Sequence, residues 1–498
     1  MARCIMVQGT MSGAGKSLLV TALCRIFRQD GWRVAPFKSQ NMALNSYITK
    51  DGLEMGRAQV AQAEAAGREP DVRMNPILLK PSSDTGSQLI VNGEVRGQYS
   101  ASAYYKMKQT LVPEVLQAYE SLAAENDILV IEGAGSPAEI NLREGDLVNM
   151  GLAELVNAPV VLVGDIDRGG VFAQLYGTVA LLSEREQARI VGTVINKFRG
   201  DVELLRPGLS VLEEKTGVPV LGVVPYTRAD IDDEDSLAPR LGRARTDRPV
   251  DVAVVRLPRI SNFTDFSPLE SHPALGVRYV ERAEDLGAPD LVVLPGTKNT
   301  MGDLAWMRQN GLEAAVKKLA AAGTPVLGVC GGFQMLGQSL EDPDGVEEGG
   351  AMAGMGLLPC ETRFSGQKVR TRVTAVTKTG PLAGASLEGY EIHMGRTQRM
   401  DGQPFCRLEN GTEEGAVREN VFGTYLHGLF DTGELTEKLA GWLLERKGIQ
   451  VDAIRPQSHA DYKEEQYDLL ADAVRKALDI PAVYRAMDAY AAGKDEQH

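Results

Sequence analysis

Ten short runs of apolar, mostly β-branched residues recur along the chain, typically followed by a polar or Gly-containing turn and then by residues with helical spacing. Six lie in the first half: Cys4–Gln8, Arg33–Phe37, Ile128–Glu132, Val160–Asp165, Ile190–Asn196 and Val220–Val224. Four lie in the second half: Asp251–Leu257, Leu291–Pro295, Pro325–Val329 and Val421–Tyr425. A continuous apolar strand has no polar face, so both faces of its sheet must be covered. Alternation with helices predicts parallel pairing, and right-handed crossovers turn that pairing into doubly wound sheets. The expected fold class is α/β, with two doubly wound, mostly parallel-sheet domains.

The boundary falls between the two sets. Asp230–Pro249 holds an acidic cluster (Asp230, Asp232, Asp233, Glu234, Asp235), then a basic one (Arg240, Arg243, Arg245, Arg248), with few large apolar residues. This predicts a first domain over 1–235, a linker over 236–250, a second domain over 251–445 and a helical C-terminal extension over 446–498. Asp342–Met355, rich in Gly and acid, reads as a surface loop or hairpin, and Glu434–Gly493 as helices broken near Ile454–Gln457.

Length agrees: 498 residues exceed what one hydrophobic core organises. Lys and Arg number 53 and Asp and Glu 67, so the net charge is 53 − 67 = −14. That balance argues against general nucleic-acid binding, which needs a basic face, but leaves room for a local basic pocket. The five cysteines (4, 24, 330, 360, 406) form no CxxC pair, which points to a reducing compartment. Cys4–Val7 is too short an apolar run for a signal-peptide core, and no window approaches 18 uninterrupted apolar residues. A cytoplasmic enzyme with no membrane partner is expected.

Two places carry chemistry. The first strand runs into Gly9-Thr10-Met11-Ser12-Gly13-Ala14-Gly15-Lys16-Ser17 and then a helix over Leu18–Arg28. Glycines let backbone N–H groups face an anion, and the helix N-terminus adds a positive dipole end. Lys16 is suited to β/γ-phosphates and the Ser17 hydroxyl to Mg²⁺. Five residues, not four, separate Gly9 from Gly15. The strand Ile128–Glu132 ends in a carboxylate where ligands of open α/β sheets sit, so Glu132 is a candidate for Mg²⁺ or its water shell. Asn196 and Lys197 end another strand, where an amide suits an adenine edge.

In the second half, the strand before Gly328-Val329-Cys330-Gly331-Gly332 and the helix after it make a nucleophile elbow with Cys in place of Ser. The helix N-terminus favours the thiolate, and the Gly331 N–H can face an oxyanion. Of five histidines, His427 in Thr424-Tyr425-Leu426-His427-Gly428 is the first candidate base and His393 the second.

Gly-x-Cys-Gly-Gly-x-Gln with the later Thr-Tyr-Leu-His-Gly resembles the class I glutamine amidotransferases. The P-loop with five intervening residues resembles dethiobiotin synthetase. The two together are similar to the layout of the cobyric acid synthases. Phe37–Met42, Glu132–Leu142, Asp165–Gly170, Asn196–Gly200 and Tyr390–Gly395 add to that resemblance, which spans nearly the whole chain.

The resemblance implies a P-loop NTPase-like amidoligase domain followed by a glutaminase domain. It assigns the second oxyanion donor to the loop of Gly296 and Thr297. It places a corrin in the N-terminal domain, with Lys38, Gln40, Asn41, Asp165 and Arg168 as candidate contacts to the corrin or to phosphate. The implied reaction uses ATP, Mg²⁺ and glutamine to amidate four carboxylates of adenosylcobyrinic acid a,c-diamide. Rivals are a cobyrinic acid a,c-diamide synthase, a non-catalytic P-loop switch or scaffold and, more weakly, a ligase acting on a cell-wall precursor. One departure stands out: the His-Pro-Glu of most class I glutaminases is His427-Gly428-Leu429 here, so the group that orients the imidazole is missing at that place.

Overall fold

The computed structural model describes residues 2–81, 86–232, 247–449 and 458–495. Backbone proximity divides the chain into two units: Met1–Ala43, Met55–Ile231 and Lys463–His498 in one, Leu44–Glu54 and Asp232–Tyr462 in the other.

The first unit is built on a six-stranded parallel sheet in the order Val220–Pro225, Ile190–Phe198, Val160–Asp165, Arg3–Gly9, Ile128–Glu132, Val34–Phe37. Ile5, Val7, Ile128, Val130, Val161, Val163 and Val194 are buried in one core with the helix Lys16–Gln29. The helices His459–Ala477 and Ile480–Asp495 add Leu470, Val474, Val483 and Met487 to that same core. Arg25 reinforces the packing by donating to Asp468 (2.7 Å) and Glu464 (2.8 Å). A smaller sheet, Gln40–Met42, Ile77–Pro81, Gly86–Val91 and Glu94–Ser100, lies within the same unit.

The second unit has its own six-stranded sheet in the order Leu275–Val280, Val250–Val255, Leu291–Leu294, Val326–Val329, Val421–Thr424, Ala416–Arg418, parallel except for the last strand. Beside it stands an antiparallel sheet dominated by the long pair Cys360–Thr377 and Ser386–Arg399. The second of these strands pairs with Leu426–His427, setting Tyr390 opposite His427.

All ten predicted strands are present, within two residues at each end. Residues 339–353 form an antiparallel pair, Ser339–Asp342 with Gly350–Ala353, overlapping the stretch 342–355 read as loop or hairpin. Most of the predicted linker, 236–246, and the predicted helix break at Ile454–Gln457 lie outside the described residues.

Candidate active sites

Parallel strands end at the same edge of a sheet, and the second unit uses this directly. Val326–Val329 lies between Leu291–Leu294 and Val421–Thr424. The loops after these three strands therefore bring together Cys330, Gly296 with Thr297, and His427. Cys330 adopts φ +52° and ψ −107°, a conformation L-residues rarely hold. It is fixed at both ends: the Cys330 N–H donates to the Thr424 carbonyl (2.8 Å), and the Gln334 N–H donates to the Cys330 carbonyl (3.0 Å). The thiol donates to the Ile392 carbonyl at 3.6 Å.

The Gly331 and Thr297 amides donate to no backbone carbonyl among the described residues. A Cβ added at Gly331 would stand 3.1 Å from the Thr297 nitrogen, so the two residues lie side by side. The Thr297 loop is held by its hydroxyl, which donates to Asp303 Oδ2 at 2.5 Å and sits 3.1 Å from the Arg259 carbonyl. Gly296 makes room for His427: a Cβ there would lie 3.0 Å from its Cε1.

His427 is buried and bonded. Its Nδ1 lies 2.6 Å from Asp265 Oδ2, while the Gly428 N–H donates to Asp265 Oδ1 at 2.9 Å. One carboxylate thus fixes both the ring and the backbone that carries it. Burial opposes the imidazolium, but the Asp265 charge, the Cys330 sulfur and hydrogen bonds to both outweigh it, raising the pKa to about 10. Asp265 thus contacts the ring where the sequence has no Glu two residues after His427. It lies 162 residues before His427, and no local sequence signal marks it.

His393, the second candidate base, packs against Tyr425. Its ring stacks on Tyr425 (centroids 3.7 Å apart, planes at 17°), and its Nδ1 faces the Gly395 carbonyl at 2.7 Å. Burial lowers its pKa to about 4, so it stays neutral near pH 7. Gln334 is held at both ends of its amide, accepting from Thr300 (2.8 Å) and facing the Tyr425 hydroxyl (3.1 Å).

In the first unit the loop over residues 9–17 leaves the central strand between Ile128–Glu132 and Val160–Asp165. Gly13 (φ +75°) and Gly15 (φ +92°) take the left-handed turns that lead into the helix at Lys16. Gly9 makes room for the Lys16 stem, since a Cβ there would meet it at 3.1 Å. Lys16 Nζ donates to the Met11 (3.2 Å) and Gly135 (3.0 Å) carbonyls.

Glu132 is a hub. Ser17 Oγ (2.8 Å) and Lys38 Nζ (2.9 Å) donate to Oε1, and Gln62 Nε2 donates to Oε2 (2.5 Å). Burial disfavours the anion, yet Lys38 and these donors hold the pKa below its ordinary value, so the carboxylate stays charged. Lys197 Nζ joins Asp165 (2.8 Å) to the Gly13 carbonyl (2.6 Å). Asn196 is engaged at both ends: Nδ2 donates to the Ala14 carbonyl (3.0 Å) and Oδ1 accepts the Lys197 N–H (2.9 Å). Thr10 donates to Gln174 (3.2 Å).

The remaining candidates stand apart from this hub. Gln40 accepts from the Tyr104 hydroxyl (2.5 Å), Asn41 donates to Gln59 (2.9 Å), and Arg168 is exposed, 3.9 Å from Asp165. Lys38 sits beside the phosphate loop, bound to Glu132. Gln62 was not anticipated; a glutamine inside an Ala-rich helix carries no sequence signal of its own.

Two families match the chain. A CobQ/CobB/MinD/ParA nucleotide binding domain matches residues 5–238, and a CobB/CobQ-like glutamine amidotransferase domain matches 251–435. Among curated proteins, the cobyric acid synthase of Ruminiclostridium cellulolyticum is 56% identical over 98% of both chains. That of Lachnoclostridium phytofermentans is 54% identical over 98% of this chain and 99% of its own. That of Clostridium acetobutylicum is 53% identical over 97% and 98%. With identity of this order along the full length and both matched domains in order, the chain belongs to the cobyric acid synthase family.

Proposed function

We propose that this chain uses glutamine and ATP to amidate peripheral carboxylates of a corrinoid, adenosylcobyrinic acid a,c-diamide, giving cobyric acid. Family membership supports the overall reaction, and the Asp265–His427–Cys330 arrangement carries the residue roles.

Cys330 Sγ attacks the side-chain amide carbon of glutamine. The oxygen that becomes anionic is received by the N–H groups of Gly331 and Thr297, with Gly296 shaping the loop. Imidazolium at His427 protonates the departing nitrogen, so ammonia and a thioester form, and neutral imidazole then takes a proton from the water that hydrolyses the thioester to glutamate. Asp265 holds the ring with Nδ1 protonated and Nε2 directed at the sulfur.

In the first unit a carboxylate, a poor electrophile, becomes attackable by ammonia once phosphorylated. Residues 9–17 receive the triphosphate of ATP, with Lys16 and Lys197 supplying positive charge. Ser17 and Glu132 offer two hard oxygen donors 2.8 Å apart, a donor set that fits Mg²⁺, which supplies charge neutralisation at the phosphates when bound. Lys38 supports Glu132. Lys38, Gln40, Asn41, Asp165 and Arg168 are the candidate contacts to the corrin or to phosphate. The layout is a ligase domain over 1–235, a linker over 236–250, a glutaminase over 251–445 and a helical extension over 446–498, working in the cytoplasm. No helix among the described residues is long and apolar enough to cross a membrane.

The test is to incubate cobyrinic acid a,c-diamide, ATP, Mg²⁺ and a nitrogen source, then weigh the corrinoid. Cys330→Ala is expected to lose amidation from glutamine and keep it from ammonia; Lys16→Ala is expected to lose both. A wild-type product with no added amide groups would overturn the reading.

A further inference from the structure

Residues Leu44–Glu54 are flanked in sequence on both sides by the nucleotide-binding unit, yet they lie within the glutaminase unit. Asn45, Ser46, Ile48, Thr49 and Glu54 are fully buried there. Two charges anchor the segment: Lys368 Nζ donates to Glu54 Oε2 at 2.5 Å, and Arg372 donates to the Tyr47 hydroxyl at 2.9 Å. Ser46 Oγ donates to the other Glu54 oxygen at 3.0 Å.

The first residues of this segment touch the side chains that flank the catalytic pair. The Ser46 carbonyl accepts from Asn262 Nδ2 (2.7 Å) and from the Tyr390 hydroxyl (3.1 Å), and Asn262 Nδ2 also lies 2.8 Å from the Tyr390 oxygen. Asn45 Oδ1 accepts from the Thr264 hydroxyl at 3.2 Å. Asn262 holds φ +52° at the start of the short turn Phe263–Phe266, which carries Asp265. Tyr390 stacks on the His427 imidazole, centroids 5.5 Å apart and planes at 24°. The carboxylate and the ring it orients thus rest on two side chains, Asn262 and Tyr390, that share one acceptor on the inserted segment.

We infer that Asn45 and Ser46, acting through Asn262, Thr264 and Tyr390, are positioning residues for the Asp265–His427 pair, so that glutamine hydrolysis at Cys330 depends on a segment outside the matched amidotransferase domain. This rests on the Cys330–His427 reading above. A general base displaced by about 1 Å can cost on the order of 10²-fold in rate. The segment touches neither sulfur nor substrate, so its effect falls on turnover and not on glutamine affinity.

The test uses the full-length protein with Asn45→Ala, Tyr390→Phe and Asn262→Gly. The last keeps the left-handed backbone and removes only the amide. Each is expected to lower glutaminase kcat roughly tenfold or more, with KM for glutamine within about twofold and ammonia-dependent amidation unchanged. The pH dependence of Cys330 alkylation by a small haloacetamide should also shift, because the groups facing His427 (Asp265, Cys330, His393 and the Tyr390 ring) no longer hold one geometry. Wild-type kcat and an unmoved alkylation profile in these variants would overturn the inference. So would a parallel loss of ammonia-dependent amidation and thermal stability, which marks a merely structural tie. If Cys330→Ala itself retains glutamine use, the underlying reading fails, a result distinct from the first two.

Discussion

Asp265 and His427 meet through a 2.6 Å contact between Oδ2 and Nδ1, although 162 residues separate them in the chain. The carboxylate comes from a short turn after the first strand of the glutaminase sheet, not from a residue following the histidine. The group that faces the ring thus lies on a different loop from the one that carries the histidine.

Asp265→Asn should therefore cripple glutamine hydrolysis. The amide offers Nδ1 either a donor or a neutral acceptor, so the tautomer and the imidazolium both lose support. A fall of about 10²–10⁴-fold in kcat is expected with little change in KM. The folded pKa of His427, about 10, stands above its ordinary 6.5, so the pair stabilises the fold fully below pH 6.5 and loses that contribution as pH rises through about 10. The variant should lose this alkaline dependence, read as the difference in thermal midpoint from wild type between pH 7 and 10.

Gly331→Ala tests the oxyanion pocket separately from the nucleophile. The added Cβ would meet Thr297 Cγ2 at 2.7 Å and its nitrogen at 3.1 Å, pushing one donor loop away from the other. A loss of about 10²–10³-fold in glutaminase kcat is expected. Cys330 alkylation should persist, because the elbow itself is held by the Thr424 carbonyl.

The sequence made ten of the twelve strands of the two main sheets readable because they are unbroken apolar runs, the pattern a doubly covered sheet requires. Cys330, Gly296 and His427 were readable for the same reason: strand-end loops need glycine and leave few alternatives. The pair Cys360–Thr377 and Ser386–Arg399 was not readable. Its exposed positions carry Glu361, Arg363 and Glu388, so its apolar content is spread thin, and its length comes from pairing with itself. Asp265 and the Leu44–Glu54 segment stayed hidden because their partners are tertiary. Nothing within reach of Asn45 in sequence hints at Thr264.

Lys38→Met addresses the nucleotide site. It removes the cation from a buried carboxylate and leaves Glu132 with neutral donors only, Ser17 and Gln62. Breaking one side of such a pair costs about 3–5 kcal/mol. The expected result is a clear drop in the denaturant midpoint of the nucleotide-binding unit, together with loss of amidation from ammonia as well as glutamine. Full ammonia-dependent turnover would show that Glu132 needs no cation.

Glu414 gives a stability prediction independent of catalysis. It is buried, accepts the Tyr425 N–H (2.6 Å) and the Thr424 hydroxyl (2.7 Å), and faces the Cys406 thiol, which burial and Glu414 itself keep protonated. Burial raises its pKa from the ordinary 4.5 to about 7 despite those donors. Because the folded state holds the proton more tightly, this group favours folding most below pH 4.5. That advantage is lost as pH rises to about 7, and above that pH the cost is constant. At 1.36 kcal/mol per pH unit, the difference across the window is on the order of 3 kcal/mol. Glu414→Gln keeps an acceptor for the Tyr425 N–H and turns its amide toward Thr424, whose hydroxyl can accept. The variant should gain stability relative to wild type across pH 4.5 to 7 and run parallel to it above. Comparing denaturant midpoints of the two proteins at each pH cancels the other titrating groups, so a constant difference across that window would rule out a protonated Glu414 in the folded chain.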